Sequence, residues 1–167
     1  HQALWLNDPD CLMLRTAGTK LSAAQRRTQI NAIALTGGLL LYSDDFAALD
    51  RELIREITEI QEITGACFSG RLIPLDVMAN ELPRIVYNTA GYLGVFNMSG
   101  RRASVRINAD YLVQEADAVA EIWGRPGVAS RTMREVWNGR ELTLAGETVT
   151  VGPLGPYESL LFRSEPA

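Results

Sequence analysis

Histidine is almost missing from this chain: one in 167 residues, at position 1. With no other imidazole, a Ser-His-Asp or Cys-His mechanism has no base within the sequence, so any chemistry carried here is carboxylate chemistry. Cysteine is nearly as scarce. Cys11 and Cys67 are the only two, and their wide separation fits no zinc or redox motif, so they read as buried thiols; no metal site and no cofactor is expected. Long apolar runs are also lacking, since the stretch from Ala32 to Tyr42 is broken by Gly37 and Gly38 and is too short to span a membrane. There is no basic field either. The formal charge is −4, and the pairs Arg26-Arg27 and Arg101-Arg102 read as solvated faces or turns, which argues against nucleic acid as a partner. The first residues carry no basic region or signal-peptide pattern, which leaves localisation open with the cytoplasm slightly preferred.

What is present has the composition of an ordinary globular protein, 47% hydrophobic and 22% charged. The stretch that organises the chain lies near its start. Leu4, Trp5 and Leu6 end abruptly in Asn7, Asp8, Pro9 and Asp10, which reads as a buried strand delivering carboxylates to a loop. Ser22 followed by Gln25 is a capping box, and Ile30, Ile33 and Ala34 continue at helical spacing, so a helix is expected over 23–36, stopped at Gly37 and Gly38. Leu39 to Tyr42 then repeat the opening pattern and break into Ser43, Asp44 and Asp45. Asp45 is expected to cap a helix whose one face is Phe46, Leu49, Leu53, Ile57, Ile60 and Thr64, ended by Gly65. Strand, acidic loop and helix, repeated, imply parallel strands covered by helices. Two such units do not close a sheet, so further βα units are expected before residue 1.

After Gly65 the pattern changes. Leu72–Val77, Ile85–Asn88, Tyr92–Asn97, Ala103–Asn108, Val119–Trp123, Glu141–Leu144, Thr148–Val151 and Ser159–Arg163 are short strand-like runs separated by Gly, Pro, Asn and charged turns. Without long helices between them they describe an antiparallel β-sandwich. The expected organisation is thus α/β plus all-β: residues 1–66 and residues 67–167.

Asp8, Asp10, Asp44 and Asp45 would sit at the C-terminal ends of two parallel strands, the end at which α/β barrels place their active sites. Paired carboxylates there suit glycoside hydrolysis, with about 5 Å between them for retention and up to about 9 Å for inversion. The competing reading is that Asp45 caps its helix and that Asp8 or Asp10 holds the loop through backbone amides. Trp5, Trp123 and Trp137 fit either core packing or stacking on a sugar face. Asn97-Met98-Ser99 is a hairpin signal and also a glycosylation sequon.

These ordered motifs resemble the C-terminal part of the α-galactosidase-like glycoside hydrolases, the melibiase clan. The family's Trp-Asn-Asp-Pro-Asp type motif is matched by Trp5 to Asp10 with Leu6 inserted, closer to its bacterial branch, and its small-residue helix end before an eighth strand is matched by Gly37 to Asp45. Val95, Phe96 and Asn97 resemble a strand of the sandwich that follows the barrel. The resemblance implies the last two βα units of a (β/α)8 barrel followed by an antiparallel β-sandwich, in a retaining enzyme acting on α-linked sugars. It also implies that both catalytic aspartates lie on earlier strands, so that no catalytic residue is expected in this chain and the isolated chain is inactive. Trp5, Asp8 and Asp10 would line or brace the sugar-binding end, with Asp44 and Asp45 bracing the last loop. The implied partners are a carbohydrate substrate and the remainder of the barrel, with oligomers possible through exposed edges. A noncatalytic carbohydrate-binding or structural sandwich is the alternative.

Overall fold

The computed structural model describes residues 8–123 and 131–165. The capping box forms: Ser22 Oγ accepts from the Gln25 backbone N–H and Gln25 Oε1 from that of Ser22, starting helix α1 (Ala23–Thr36). Gly37 ends it in the left-handed conformation at φ 60°, and its missing side chain leaves room for the backbone of Cys67 and Phe68. Strands β1 (Cys11–Leu12) and β2 (Leu41–Tyr42) flank α1 and pair in parallel, Cys11 opposite Leu41 and Leu12 opposite Tyr42. Helix α2 (Arg51–Phe68) follows.

Two boundaries differ from expectation. Asp45 caps only a 3₁₀ turn, Phe46–Ala48, while Asp50 accepts from the N–H groups of Glu52 and Leu53 and so starts α2. Gly65 does not end α2, which runs three residues further because Cys67 is fully buried and completes its inner face. The strand expected at Leu4–Leu6 lies outside the described residues.

The second half is built on a six-stranded antiparallel sheet: β3 (Leu72–Pro74), β4 (Ile85–Asn88), β5 (Tyr92–Phe96), β10 (Ser159–Ser164), β7 (Thr132–Glu135) and β8 (Glu141–Thr143), in that spatial order. A separate antiparallel pair is formed by β6 (Ala103–Asn108) and β9 (Thr148–Leu154). The segment Val119–Trp123, expected as a strand, is instead the end of a 15-residue helix, α3 (Ala109–Trp123). Ala109, Leu112 and Ala116 are buried at helical spacing, with Val113 packed beside them, and Asn108 Oδ1 accepts the Tyr111 N–H as the cap. Nothing between 109 and 123 breaks a helix, so the short apolar run at its end has no turn from which to begin a strand. Strand β7 was not expected, since Met133 is the only apolar residue of Thr-Met-Arg-Glu; it forms because Glu135 can be buried with it.

The large sheet is covered on both faces. Leu93, Val95, Leu160 and Phe162 point into a core shared with β6, β9 and α3. Tyr92, Phe96 and Leu161 point the other way, against Ile30, Ile33 and Leu35 of α1 and Ile57, Ile60 and Ile63 of α2. All five residues of β5 are therefore buried. Helix α1 reaches the sheet at Gly94, where a Cβ would lie 2.7 Å from Leu35 Cδ2.

Polar groups tie the helix layer to the sheet. Asn88 is fully buried; its amide nitrogen donates to the carbonyls of Leu35 (3.0 Å) and Cys67 (3.1 Å), which belong to the last turns of α1 and α2. Trp137 Nε1 donates to Asn31 Oδ1 (2.7 Å), Asn31 Nδ2 donates to Ser159 Oγ (2.9 Å), and the Arg27 guanidinium lies 4.0 Å from the Trp137 ring centroid. These partners make Trp137 a packing residue at the α1–sheet interface.

Candidate functional site

The C-terminal end of the β1–β2 pair is built around Asp44. Its side chain is fully buried, and its two oxygens accept from the backbone N–H groups of Leu14 (2.7 Å) and Arg15 (3.1 Å) and from Arg15 Nη1 (3.2 Å). Arg15 Nη1 also donates to the Ser43 carbonyl, and the Ser43 N–H donates to the Leu12 carbonyl (2.9 Å). Asp44 thus clamps the exit of β1 to the exit of β2. An acid so occupied has no oxygen aimed at a ligand, and its chemistry is that of a structural anchor.

Beyond the clamp is a recess of about 220 Å³, lined by Arg15, Thr16, Asp45, Leu49, Asp50 and Leu53 among others. Asp45 Oδ1 accepts the Ala47 N–H (3.0 Å) and Asp50 Oδ1 those of Glu52 (2.9 Å) and Leu53 (2.8 Å). The volume is about that of one sugar ring, and its acids and single guanidinium could hold hydroxyl groups. Arg15, Thr16 and Asp50 were not among the residues expected from sequence. Asp50 was legible as a cap directly before Arg51-Glu52-Leu53, but Asp45 competed for that role.

The first acidic pair stands elsewhere. Asp8 and Asp10 are exposed and precede β1, whereas Asp44 and Asp45 follow β2. In a parallel pair these are opposite ends of β1 and β2; the strand Leu4–Leu6, from whose end Asp8 and Asp10 were expected to emerge, lies outside the described residues. Cys11, the residue after Asp10, is already paired, with Leu41. Asp8 Oδ1 accepts the Asp10 N–H (2.9 Å), and Asp10 adopts φ 65°, a conformation that disfavours most side chains but suits Asp. The neighbouring Cys11 thiol is pushed up by its hydrogen bond to Asp10, then by burial and the negative charges of Asp10 and Asp8, which keeps it protonated. Trp5 lies outside the described residues.

Among the described residues no group of three His, Cys, Asp or Glu side chains is placed to hold a metal ion. The sequon at Asn97 is structural: Asn97 is buried and its Nδ2 donates to the carbonyls of Arg101 and Gly155, both at 2.7 Å, so the nitrogen that would carry a glycan is occupied.

No protein-family model matches the chain. Its structure is similar to several solved ones. A protein from Bacillus halodurans C-125, provisionally named an α-N-acetylgalactosaminidase, matches with a TM-score of 0.62 and 17% identity over 89% of this chain and 33% of its own. The GH27 β-L-arabinopyranosidase of Geobacillus stearothermophilus matches with a TM-score of 0.58 and 17% identity, over 89% of this chain and 32% of that one. α-Galactosidase I of Mortierella vinacea gives 0.58 and 14% identity, over 93% and 38%. The chain spans about a third of the length of these proteins. Over most of its length it has an α-galactosidase-like glycoside hydrolase fold, and its antiparallel sheet is consistent with the C-terminal β-sandwich of GH27 enzymes.

Proposed function

We propose that this chain is the C-terminal part of a retaining α-galactosidase-like glycoside hydrolase acting on α-linked sugars, of the clan's bacterial, melibiase-like branch. Residues 1–66 supply the last two βα units of a (β/α)8 barrel, and residues 67–167 its C-terminal β-sandwich. One observation carries the reading. Leu12 and Leu14 are fully buried under the helices, while Leu39 and Leu41, which point away from them, are 55% and 44% exposed, with Cys11 and Met13 only partly covered beside them. A parallel pair of strands with one packed face and one bare apolar face is completed by more strands, and parallel sheets are normally covered on both faces. The proteins that share the fold are about three times longer.

In this reading the reacting carboxylates, about 5 Å apart as retention requires, stand on strands other than β1 and β2. Trp5, Asp8 and Asp10, delivered by the strand expected at Leu4–Leu6, line or brace the sugar-binding end. Asp44 holds the exits of the last two strands together, and Asp45 shapes the rim of the recess. The partners are the carbohydrate substrate and the rest of the barrel, and the bare face and edges of β1 and β2 would otherwise drive self-association. The test is an assay of aryl α-galactoside hydrolysis by this chain alone. No turnover is expected. Turnover that disappears in Asp8→Asn or Asp44→Asn would place the chemistry here and overturn the reading.

A further inference from the structure

On the far side of the sandwich, β6 and β9 turn a polar face to solvent. Ser104, Arg106 and Asn108 are exposed and alternate with the buried Val105 and Ile107; across the ladder Thr150 stands opposite Arg106 and Thr148 opposite Asn108. Arg84, from the segment leading into β4, reaches the same place. Arg84, Ser104, Arg106, Asn108 and Thr148 together line an open groove of about 480 Å³.

The groove is rich in donors and has no acid in its lining. Asn108 uses its Oδ1 to cap α3 at Tyr111 N (2.8 Å), so its amide N–H groups are what it offers to a ligand. Arg84 has one carboxylate behind it: Asp76 accepts the backbone N–H groups of Arg84 (2.9 Å) and Ile85 (3.1 Å) and lies 3.6 Å from Arg84 Nε. Arg106 has no ion-pair or hydrogen-bond partner among the described residues. Two guanidinium groups therefore line one groove whose lining holds no acid, and the carboxylate beside Arg84, that of Asp76, is already committed to backbone N–H groups. Like charges so placed repel, and an anion between them removes the repulsion while receiving planar, paired N–H donors. Ser104 and Thr148 add hydroxyls, which both donate and accept. The volume is in the range of ligand pockets and accommodates more than one sugar ring.

We infer that this groove binds an acidic sugar, the carboxylate of a uronate unit within an oligosaccharide, with Arg106 and Arg84 on the carboxylate and Ser104 and Thr148 on hydroxyl groups. The anion is argued from the groove alone; that a sugar carries it rests on the glycoside-hydrolase reading. The site lies on β6 and β9, apart from the recess beside Asp44, so it recognises a charged part of a glycan without taking part in bond cleavage.

Calorimetric titration of the whole chain with trigalacturonate, with a neutral galactotriose and with sodium sulfate tests it. Trigalacturonate is expected to bind at least about tenfold more tightly than either of the others, and to weaken as salt is raised from about 50 to about 500 mM. Arg106→Ala is expected to weaken it about tenfold or more, since a hydrogen bond to a charged group is lost. Ser104→Glu, which places an acid in the lining, is expected to abolish it, and Arg140→Ala, on the exposed β7–β8 turn, to leave it unchanged. Because residues 104 and 106 are solvent-facing, both groove variants should keep the unfolding midpoint of the parent, and Ser104→Glu serves if Arg106→Ala does not fold. No binding of trigalacturonate, equal binding of the neutral sugar, or sulfate bound as tightly as trigalacturonate would each overturn the assignment. Arg106 plays no part in the hydrolysis assay above, so the two readings fail separately.

Discussion

Replacing Asn88 with leucine tests how the helix layer is held to the sheet. Asn88 is fully buried at the end of β4, and three hydrogen bonds use its side chain: donations to the carbonyls of Leu35 (3.0 Å) and Cys67 (3.1 Å), and acceptance of the Ala90 N–H (2.9 Å). The two carbonyls belong to helix C-termini, which have no partners within their own helices. Leucine has the same branching and number of heavy atoms and satisfies none of them. The Cys67 carbonyl keeps the Gly70 N–H at 3.0 Å, so its loss is small. The Leu35 carbonyl and the Ala90 N–H are left bare, at about 1–3 kcal/mol each, so the variant should lose about 3–4 kcal/mol. That corresponds to a fall of roughly 10 °C in Tm for a chain of this size. Urea unfolding followed by tryptophan fluorescence measures it, with the m-value required to stay constant. Asn88→Asp should do worse, because it keeps the acceptor but puts a carboxylate against two carbonyls. A loss below about 1 kcal/mol in Asn88→Leu would refute the reasoning and leave apolar packing and the Trp137–Asn31–Ser159 hydrogen bonds to hold the helix layer.

Three further outcomes follow from the same structure. Gly94→Ala should cost about 1–3 kcal/mol, because a Cβ there presses on Leu35 and the Phe96 ring; a neutral effect in thermal unfolding would mean that α1 can lift from the sheet. Asp44→Ala should destabilise by about 2–3 kcal/mol through the unpaired N–H groups of Leu14 and Arg15, with Asp45→Ala costing less, at about 1 kcal/mol, as an exposed cap; equal effects would remove the clamp from the argument. Burial pushes the Cys67 thiol well above its ordinary range and the Tyr87 phenol up to about 12, the latter helped by the charge of Asp117 and opposed by the neighbouring Ser164. A group whose pKa is raised by folding stabilises the fold fully below its unfolded value and loses that contribution as pH rises through the folded one. Stability should therefore be insensitive to these groups below about pH 8 and fall from about pH 9 upward, and Cys67→Ala should flatten that fall. Urea midpoints at pH 7, 9 and 10 decide it, and no difference between parent and variant would contradict the assignment.

Much of the architecture could be read from residue order because the signals were local. Ser22, Gln25 and Gly37 bound α1 to the residue, since capping chemistry acts within one turn. The alternation of Val105 and Ile107 marks β6 because one face of that strand is solvated. Where the signal came from elsewhere in the fold, reading failed. Thr-Met-Arg-Glu becomes β7 because its buried Glu135 carboxylate finds the N–H groups of Trp137 and Asn138 in the turn that follows, and Arg134 finds Glu141 and Glu165, partners that no local pattern announces. Helix α3 was missed for a different reason: its core residues include two alanines, whose small side chains give a weak apolar period although they allow close packing against β6 and β9.

The acids near the start show the limit of chain order for locating a site. Two stretches share the form of an apolar run ending in aspartates, and that symmetry places all four carboxylates at one rim. Among the described strands Cys11 lies opposite Leu41, so Asp10 enters one strand while Asp44 leaves the other; the apolar run before Asp8 lies outside the described residues. The roles then separate by what each oxygen touches. Asp44, with three N–H donors and a buried side chain, holds two strand exits together; Asp45 and Asp50 cap with one oxygen each beside the recess; Asp10, exposed, adopts a positive φ with its N–H held by Asp8. Of the four acids, Asp44 is therefore the one whose replacement by Asn should cost this chain the most stability, and Asp10, with its exposed side chain, the one whose replacement by Asn should cost least.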